Sequence, residues 1–139
     1  MKTLFKLFMA LQVGLYRLSG GKLGGTMRGF QALLLTTTGR KSGKTHTTPL
    51  GRFDHEGGYV IVASNGGQPT NPAWYFNLKT NPHVTVQVLD KTMPATAEVL
   101  SGETRAQAWR QVVATAPAYA AYEKRTTREI PLILLRPNK

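Results

Sequence analysis

The 139-residue chain has no cysteine, which excludes disulfides, thiolate metal ligands, iron–sulfur clusters and cysteine nucleophiles together. Acidic residues are scarce: there are 7 in all, and none precedes Asp54. In that acid-free stretch stand Lys2, Lys6, Arg17, Lys22, Arg28, Arg40, Lys41, Lys44 and Arg52. Long apolar runs are missing too, and no window approaches the roughly 20 residues needed to span a bilayer as a helix. Lys6 interrupts the N-terminal apolar stretch and no Ala-x-Ala-like site follows it, so a secretory signal is not expected. His46, His55 and His83 show no metal-ligand spacing, and no metal is expected. What is present is a hydrophobic content of 41%, enough for one packed domain, and a net charge of +11 that calls for an anionic partner. Nucleic acid, anionic lipid and a phosphorylated small molecule all fit that charge. The cytoplasm is the expected location, with the inner face of the cell membrane as the alternative for a peripheral protein.

Along the chain, Leu4, Leu7, Phe8, Leu11, Leu15 and Leu18 fall on one stripe of a helix over 4–18, with Lys2, Lys6 and Arg17 opposite. Such a helix either covers the domain's own core or a subunit interface, or lies on an anionic membrane through residues 1–19. Gly20, Gly21, Gly24 and Gly25 end it, so 1–22 reads as a helix with a glycine link and 23–139 as the main domain. Strands are predicted over 31–38, 45–53, 59–64, 83–89, 93–100 and 130–135. Pro49 marks the second of these as an edge or bulge. A short helix over 73–79 is expected to start on an Asn71 cap with Pro72 in its first position. A longer one over 103–115 follows Ser101, with Ala106, Trp109, Val112 and Val113 on its apolar side, and a shorter helical piece carries Tyr119 and Tyr122. Hairpins dominate and no repeated βαβ unit appears. The expected class is therefore α+β and mainly antiparallel, a sheet curled into a small barrel with helices outside.

Three places could carry chemistry. The 38–45 segment TGRKSGKT ends like a phosphate loop, but Thr38 stands where the first glycine of such a loop belongs, and strand follows where a helix should open. What remains is a glycine-flanked turn presenting Arg40, Lys41 and Lys44, with backbone amides and the Ser42 hydroxyl within reach of an anion; a solvated basic tip is the alternative. Ser64, Asn65, Gly66 and Gly67 leave the clearest strand just before a helix start, which suits close approach of a planar ligand or phosphate and is also ordinary connection chemistry. Trp74, Tyr75 and Phe76 follow one another, so at least one ring should line a cleft. Tyr119 and Tyr122 share a face from which they could stack on a ring or deliver a proton, or they are core-edge tyrosines. With no triad or metal set, an enzyme here would take its reactivity from a cofactor.

Read together, LLLTTTGRKSG over 33–43, TPL over 48–50, YVIVASNGG over 59–67, NPAWYFNLKTNP over 71–82 and IPL over 130–132 resemble the deazaflavin (F420)-dependent nitroreductases and F420H2-dependent quinone reductases. The resemblance covers about residues 15–136. It implies a split β-barrel of the FMN-binding type, binding of coenzyme F420 with its phosphate and oligoglutamate tail, and hydride transfer to a quinone, an activated enone or a nitroaromatic. By position, Arg40, Lys41, Ser42, Gly43 and Lys44 would hold the tail. Thr48, Pro49, Leu50, Ala63, Ser64, Asn65, Gly66 and Gly67 would meet phosphate and ring, with Ala73, Trp74, Tyr75 and Asn77 on the other wall. Tyr119 and Tyr122 would flank the acceptor, and Ser64, Tyr122 or water would supply a proton. Asn65 replaces a lysine of the family pattern, and Gly51 and Ala116 replace tyrosines, which widens the acceptor side and favours quinone and enone over nitro substrates. The rivals are an FMN- or heme-binding protein on the same barrel and a basic nucleic-acid module. No aromatic interleaving supports the latter, so nucleic acid is not an expected partner, and the protein is expected as a monomer or homodimer.

Overall fold

The computed structural model describes residues 2–20, 26–27, 30–65 and 69–138. The chain runs α1 (Lys2–Ser19), β1 (Thr26–Met27), β2 (Phe30–Thr38), β3 (Thr45–Gly51), β4 (Phe53–His55), β5 (Gly58–Val62), α2 (Ala73–Thr80), β6 (His83–Val88), β7 (Lys91–Val99), α3 (Gly102–Thr115), α4 (Ala118–Lys124) and β8 (Leu132–Pro137). Every strand pairing is antiparallel, in the order β1-β2-β6-β7-β8-β5-β4, with β3 on the other side of β2. Pro49 sits in β3, which pairs with β2 alone, as an edge strand permits.

The predicted strand over 45–53 is in fact two. It breaks at Arg52, and the piece after the break pairs with β5, Phe53 opposite Val60 and His55 opposite Gly58. β3 and β4 therefore lie at opposite ends of the strand order although one residue joins them. A single residue spans about 3.5 Å, so the two ends of the sheet must meet. That closure is the split β-barrel expected from the sequence. Arg52 fastens it: its backbone N–H donates to the Gln31 carbonyl at 2.8 Å and its Nε to the Ala32 carbonyl at 3.1 Å, while the guanidinium lies 5.9 Å from the Tyr59 ring centre of β5.

Curling explains which strands alternate and which do not. On β6 the side chains of Val84, Val86 and Val88 point inward and their neighbours outward, the period-two pattern of a sheet wet on one face. β8 is buried on both faces. Ile133 and Leu135 join the interior cluster with Leu33, Leu35, Ile61 and the α2 residues Trp74, Tyr75 and Leu78; Leu132 and Leu134 join an outer cluster with Val60, Val62, Ala108, Val112 and Tyr119 under α3 and α4. Each fully buried leucine contributes about 2 kcal/mol, which accounts for the unbroken apolar run. Of the α3 positions expected on the apolar side, Val112 is buried and Trp109 packs against the outer cluster, while Ala106 and Val113 are half-buried; Ala108 is the further buried position, because it lies one turn before Val112 on the face that meets the β5 and β8 residues of that cluster. Ser101 occupies the N-cap position of α3 without a side-chain cap bond.

A third cluster, Tyr16, Ala32 and Leu34 with Val13 against it, docks α1 on β2. Tyr16 is fully buried, donates its hydroxyl to the Ala32 carbonyl at 3.1 Å and accepts from the Leu89 amide at 2.7 Å. That pair of bonds sets the rotation of the helix and turns the leucine stripe away from the barrel: Leu7, Leu11, Leu15 and Leu18 are all exposed, Leu18 by 91%. The stripe does not cover the domain's own core. Replacing Tyr16 with Phe leaves the Leu89 amide without its acceptor, while the Ala32 carbonyl keeps the Arg52 guanidinium, at a cost of about 2 kcal/mol. The melting temperature of Tyr16→Phe is expected to fall by roughly 5 to 8 °C, and a fall of under about 1 °C would show that the hydroxyl does not hold the helix.

Candidate functional site

The tip between β2 and β3 is a tight backbone loop. The Gly39 amide donates to the Lys44 carbonyl at 2.7 Å, the Gly43 amide to the Gly39 carbonyl at 2.9 Å, and the Lys44 amide to Ser42 Oγ at 3.2 Å. Gly43 has φ +72, a left-handed turn position, and a Cβ on Gly39 would stand 2.7 Å from Ser42 Oγ and 2.9 Å from His46 Nε2, so both positions call for glycine. The tip is moored to α2 by Asn77. This buried amide donates Nδ2–H to Thr37 Oγ1 at 3.3 Å and accepts at Oδ1 from the Arg40 amide at 3.1 Å. The Arg40 guanidinium lies 4.9 Å from the Phe76 ring centre. Trp74 and Tyr75 are buried and Phe76 is half-buried, so one helix turn splits its three rings between core and surface.

Between this tip, α2 and α1 opens a cleft of about 1070 Å3. Of the residues the sequence singled out, Arg40, Lys41, Ser42, Thr48, Ala73, Trp74 and Asn77 line it. Thr45, His46 and Thr47 of β3 join them, and α1 adds Ala10, Val13, Gly14 and Arg17. No carboxylate is in the lining, and none of Arg17, Arg40, Lys41 and Lys44 forms an ion pair among the described residues. Unpaired cations converging on a concave, partly aromatic wall make a site for a polyanion with a planar group. Lys44, Gly43, Pro49, Leu50 and Tyr75 are adjacent in sequence to the lining without being part of it.

Ala63, Ser64 and Asn65 lie at the end of β5, where a second set of bonds fixes the chain. Arg128 donates from Nη1 to the Ala63 carbonyl at 3.2 Å and to Asn71 Oδ1 at 2.6 Å, and from Nη2 to the Ser64 carbonyl at 2.8 Å. Burial lowers the pKa of this guanidinium from its ordinary value. Because Asn71 Oδ1 is taken by Arg128, it does not cap α2 as expected, and the helix starts one residue later with Pro72 in the N-cap position. Asn65 has φ 49 and donates Nδ2–H to the Thr70 carbonyl at 3.0 Å. Gly66 and Gly67 lie outside the described residues. Tyr119 and Tyr122 meet edge to face at 5.6 Å, with Tyr119 also 5.9 Å from Phe53, in the outer cluster under α4 rather than in the cleft lining. Ser64 is buried and also outside that lining. Sequence reasoning missed Arg128, which carries no local motif, and the α1 residues of the cleft, whose helix it read by its leucine stripe.

A sequence model of the F420H(2)-dependent quinone reductase family matches residues 8–137. The chain is similar to an F420H(2)-dependent quinone reductase of Mycobacterium tuberculosis, 37% identical over 131 residues that cover 91% of this chain and 88% of that protein. Among solved structures it resembles an F420-H2-dependent reductase at 47% identity and a TM-score of 0.70, covering 76% of this chain and 93% of the other. It also resembles a chain described as a domain-swapped dimer, at 44% identity and a TM-score of 0.73, covering 86% and 90%.

The Arg128 bonds join the segment after α4 to the end of β5, and removing them strands two carbonyls. Arg128→Ala is expected to lose about 3 kcal/mol of stability in urea unfolding. Arg128→Lys should recover less than half of that loss, because a point charge cannot reach three acceptors at once; full recovery by Lys would contradict the forked geometry.

Proposed function

The chain belongs to the F420H(2)-dependent quinone reductase family, and from that premise we propose that its cleft binds reduced coenzyme F420 and that the protein reduces a quinone with it. The observation that carries this reading is the cleft of about 1070 Å3 with basic residues, no acidic lining and Trp74 in its wall. Its residues fit the cofactor: a phosphate and carboxylate tail needs cations and hydroxyl donors, which Arg40, Lys41 and Ser42 supply, and a deazaflavin ring needs a flat apolar wall. Reduced F420 supplies the hydride, and a quinone that takes one hydride and one proton leaves as the hydroquinone.

The protein's part is to bind, orient and provide the proton. Arg40, Lys41 and Lys44 hold the tail, and Ser42 adds a hydroxyl. Asn77 keeps the tip at a fixed distance from α2, and Ala73 and Trp74 present the wall against which a ring lies. We assign the proton of the nascent hydroquinone oxygen to Ser64 or Tyr122, which the family resemblance rather than the cleft lining puts forward, with water as the remaining donor. The same barrel can hold FMN or heme, but the acid-free cleft suits a longer polyanion than FMN. The cations gather around a concavity rather than along a flat face, which argues against nucleic acid.

For the exposed stripe Leu7, Leu11, Leu15 and Leu18 we propose an anionic bilayer surface as its partner. Lys2 and Lys6 flank that stripe in sequence and the chain as a whole carries +11, so apolar insertion and headgroup attraction act together. Among the described residues, no helix is long and apolar enough to cross a membrane.

Titration of the protein with reduced F420 and with FMN, followed by menadione, is expected to give tight F420 binding and oxidation of F420 seen in its absorbance; tight FMN binding with no F420 turnover would overturn the reading. Ser64→Ala and Tyr122→Phe should each slow turnover about tenfold or more without abolishing cofactor binding, and unchanged rates in both would assign the proton to water. Wild-type protein should co-sediment with vesicles containing anionic lipid, and Leu11→Glu/Leu18→Glu should not. Retained vesicle binding by that variant, or a doubled mass in solution that only the wild type shows, would replace the lipid with another site or a second copy of the chain.

A further inference from the structure

We infer that α1 is the third wall of the anion cleft and that Arg17 is a binding residue for the outer carboxylates of an oligoanionic ligand tail; this rests on the reading of the cleft as the cofactor site. Four residues of α1, Ala10, Val13, Gly14 and Arg17, line the cleft opposite Arg40, Lys41 and Ser42. Their spacing of three and four places them on one face of the helix, distinct from the leucine stripe. That face is aimed by its neighbour: Tyr16, locked between the Ala32 carbonyl and the Leu89 amide, fixes the rotation of the helix that brings Arg17 to the cleft.

Arg17 is also held there by its own contacts. Its Nη2 donates to Thr47 Oγ1 at 2.9 Å, and Thr47 Oγ1 lies 2.9 Å from Thr36 Oγ1, so a chain of hydroxyls on β2 and β3 fixes the guanidinium. A single bond to a neutral oxygen leaves the charge and most of the five donors of the guanidinium available. Asp90 lines a second cavity of about 590 Å3 that Arg17 also borders, and the two form no ion pair. Arg17 therefore faces Lys41 across the cleft with nothing negative between them among the described residues. A ligand with negative charge at that point relieves the repulsion beyond what solvent screening does.

Gly14 adds a steric observation. A Cβ built there meets nothing within 4 Å, so the helix keeps open space in front of the cleft where any other residue would project into it. Glycine inside a helix costs roughly 1 kcal/mol relative to alanine, and the space it keeps is part of the ligand's room.

The test compares two ligands that share a ring and differ in the tail: F420 with its full oligoglutamate tail, and the deazaflavin without phosphate or glutamates. Arg17→Gln is expected to weaken binding of the tailed form roughly tenfold, the loss of one charge-assisted contact, and to leave the tailless form unchanged. Gly14→Leu, which fills open space and raises helix propensity, should weaken the tailed form by at least as much while the melting temperature stays level or rises. Equal affinities of wild type and Arg17→Gln for the tailed form would overturn the inference alone. If wild-type protein binds neither form, the cofactor reading falls. A tetraglutamate peptide then decides the anion site separately: weaker binding by Arg17→Gln supports it, and equal binding overturns it.

Discussion

Two strands joined by one residue stand at opposite ends of a single sheet, and the rest of the molecule follows from that constraint. Because Arg52 alone separates β3 from β4, the sheet has to close on itself. Closure buries one face of β2, β5, β6, β7 and β8 as an interior. It leaves two outer faces that need cover: β5 and β8, taken by α3 and α4, and β2, taken by α1. The Ala32 carbonyl records the economy of the arrangement, since it accepts both the Arg52 guanidinium that closes the barrel and the Tyr16 hydroxyl that docks α1.

Once α1 is docked by Tyr16 and the β2–β3 tip is moored to α2 by Asn77, three elements from distant parts of the sequence surround one cleft. The cleft gathers cations without counter-charges. In the free protein this arrangement is a cost, because like charges repel and none of the guanidinium groups in the lining has a carboxylate partner among the described residues. A bound polyanion removes the cost, so cofactor affinity and protein stability should rise together. The scarcity of acid in the first 53 residues is consistent with this, since a carboxylate among the cleft-lining positions of α1, β2–β3 or the tip would offset those cations.

Periodicity made the elements legible. The period-two pattern of 83–88 and the apolar run before Arg136 locate strands, and the glycine-flanked basic turn locates one wall of the cleft, because these signals are local. Hidden were the features that depend on closure. Nothing in the residues around Arg52 tells a continuous strand from one that changes partner there, since both halves remain extended. The burial side of α1 was misleading for a related reason: its strongest apolar stripe points to solvent, and two bonds of Tyr16 outweigh the leucines in setting its rotation. Arg128 was invisible because its three acceptors come from residues 57 to 65 positions away. Asn71 reads as a helix cap only while that partner is unknown.

The central claim is that one ligand bridges α1, the basic tip and α2. Amide hydrogen exchange of the wild-type protein, with and without bound F420, tests it most directly. The account predicts slowed exchange on binding in three separate segments, 10–17, 39–48 and 73–77. Slowing confined to α3, α4 and β8, or to the tip alone with α1 unchanged, would contradict it.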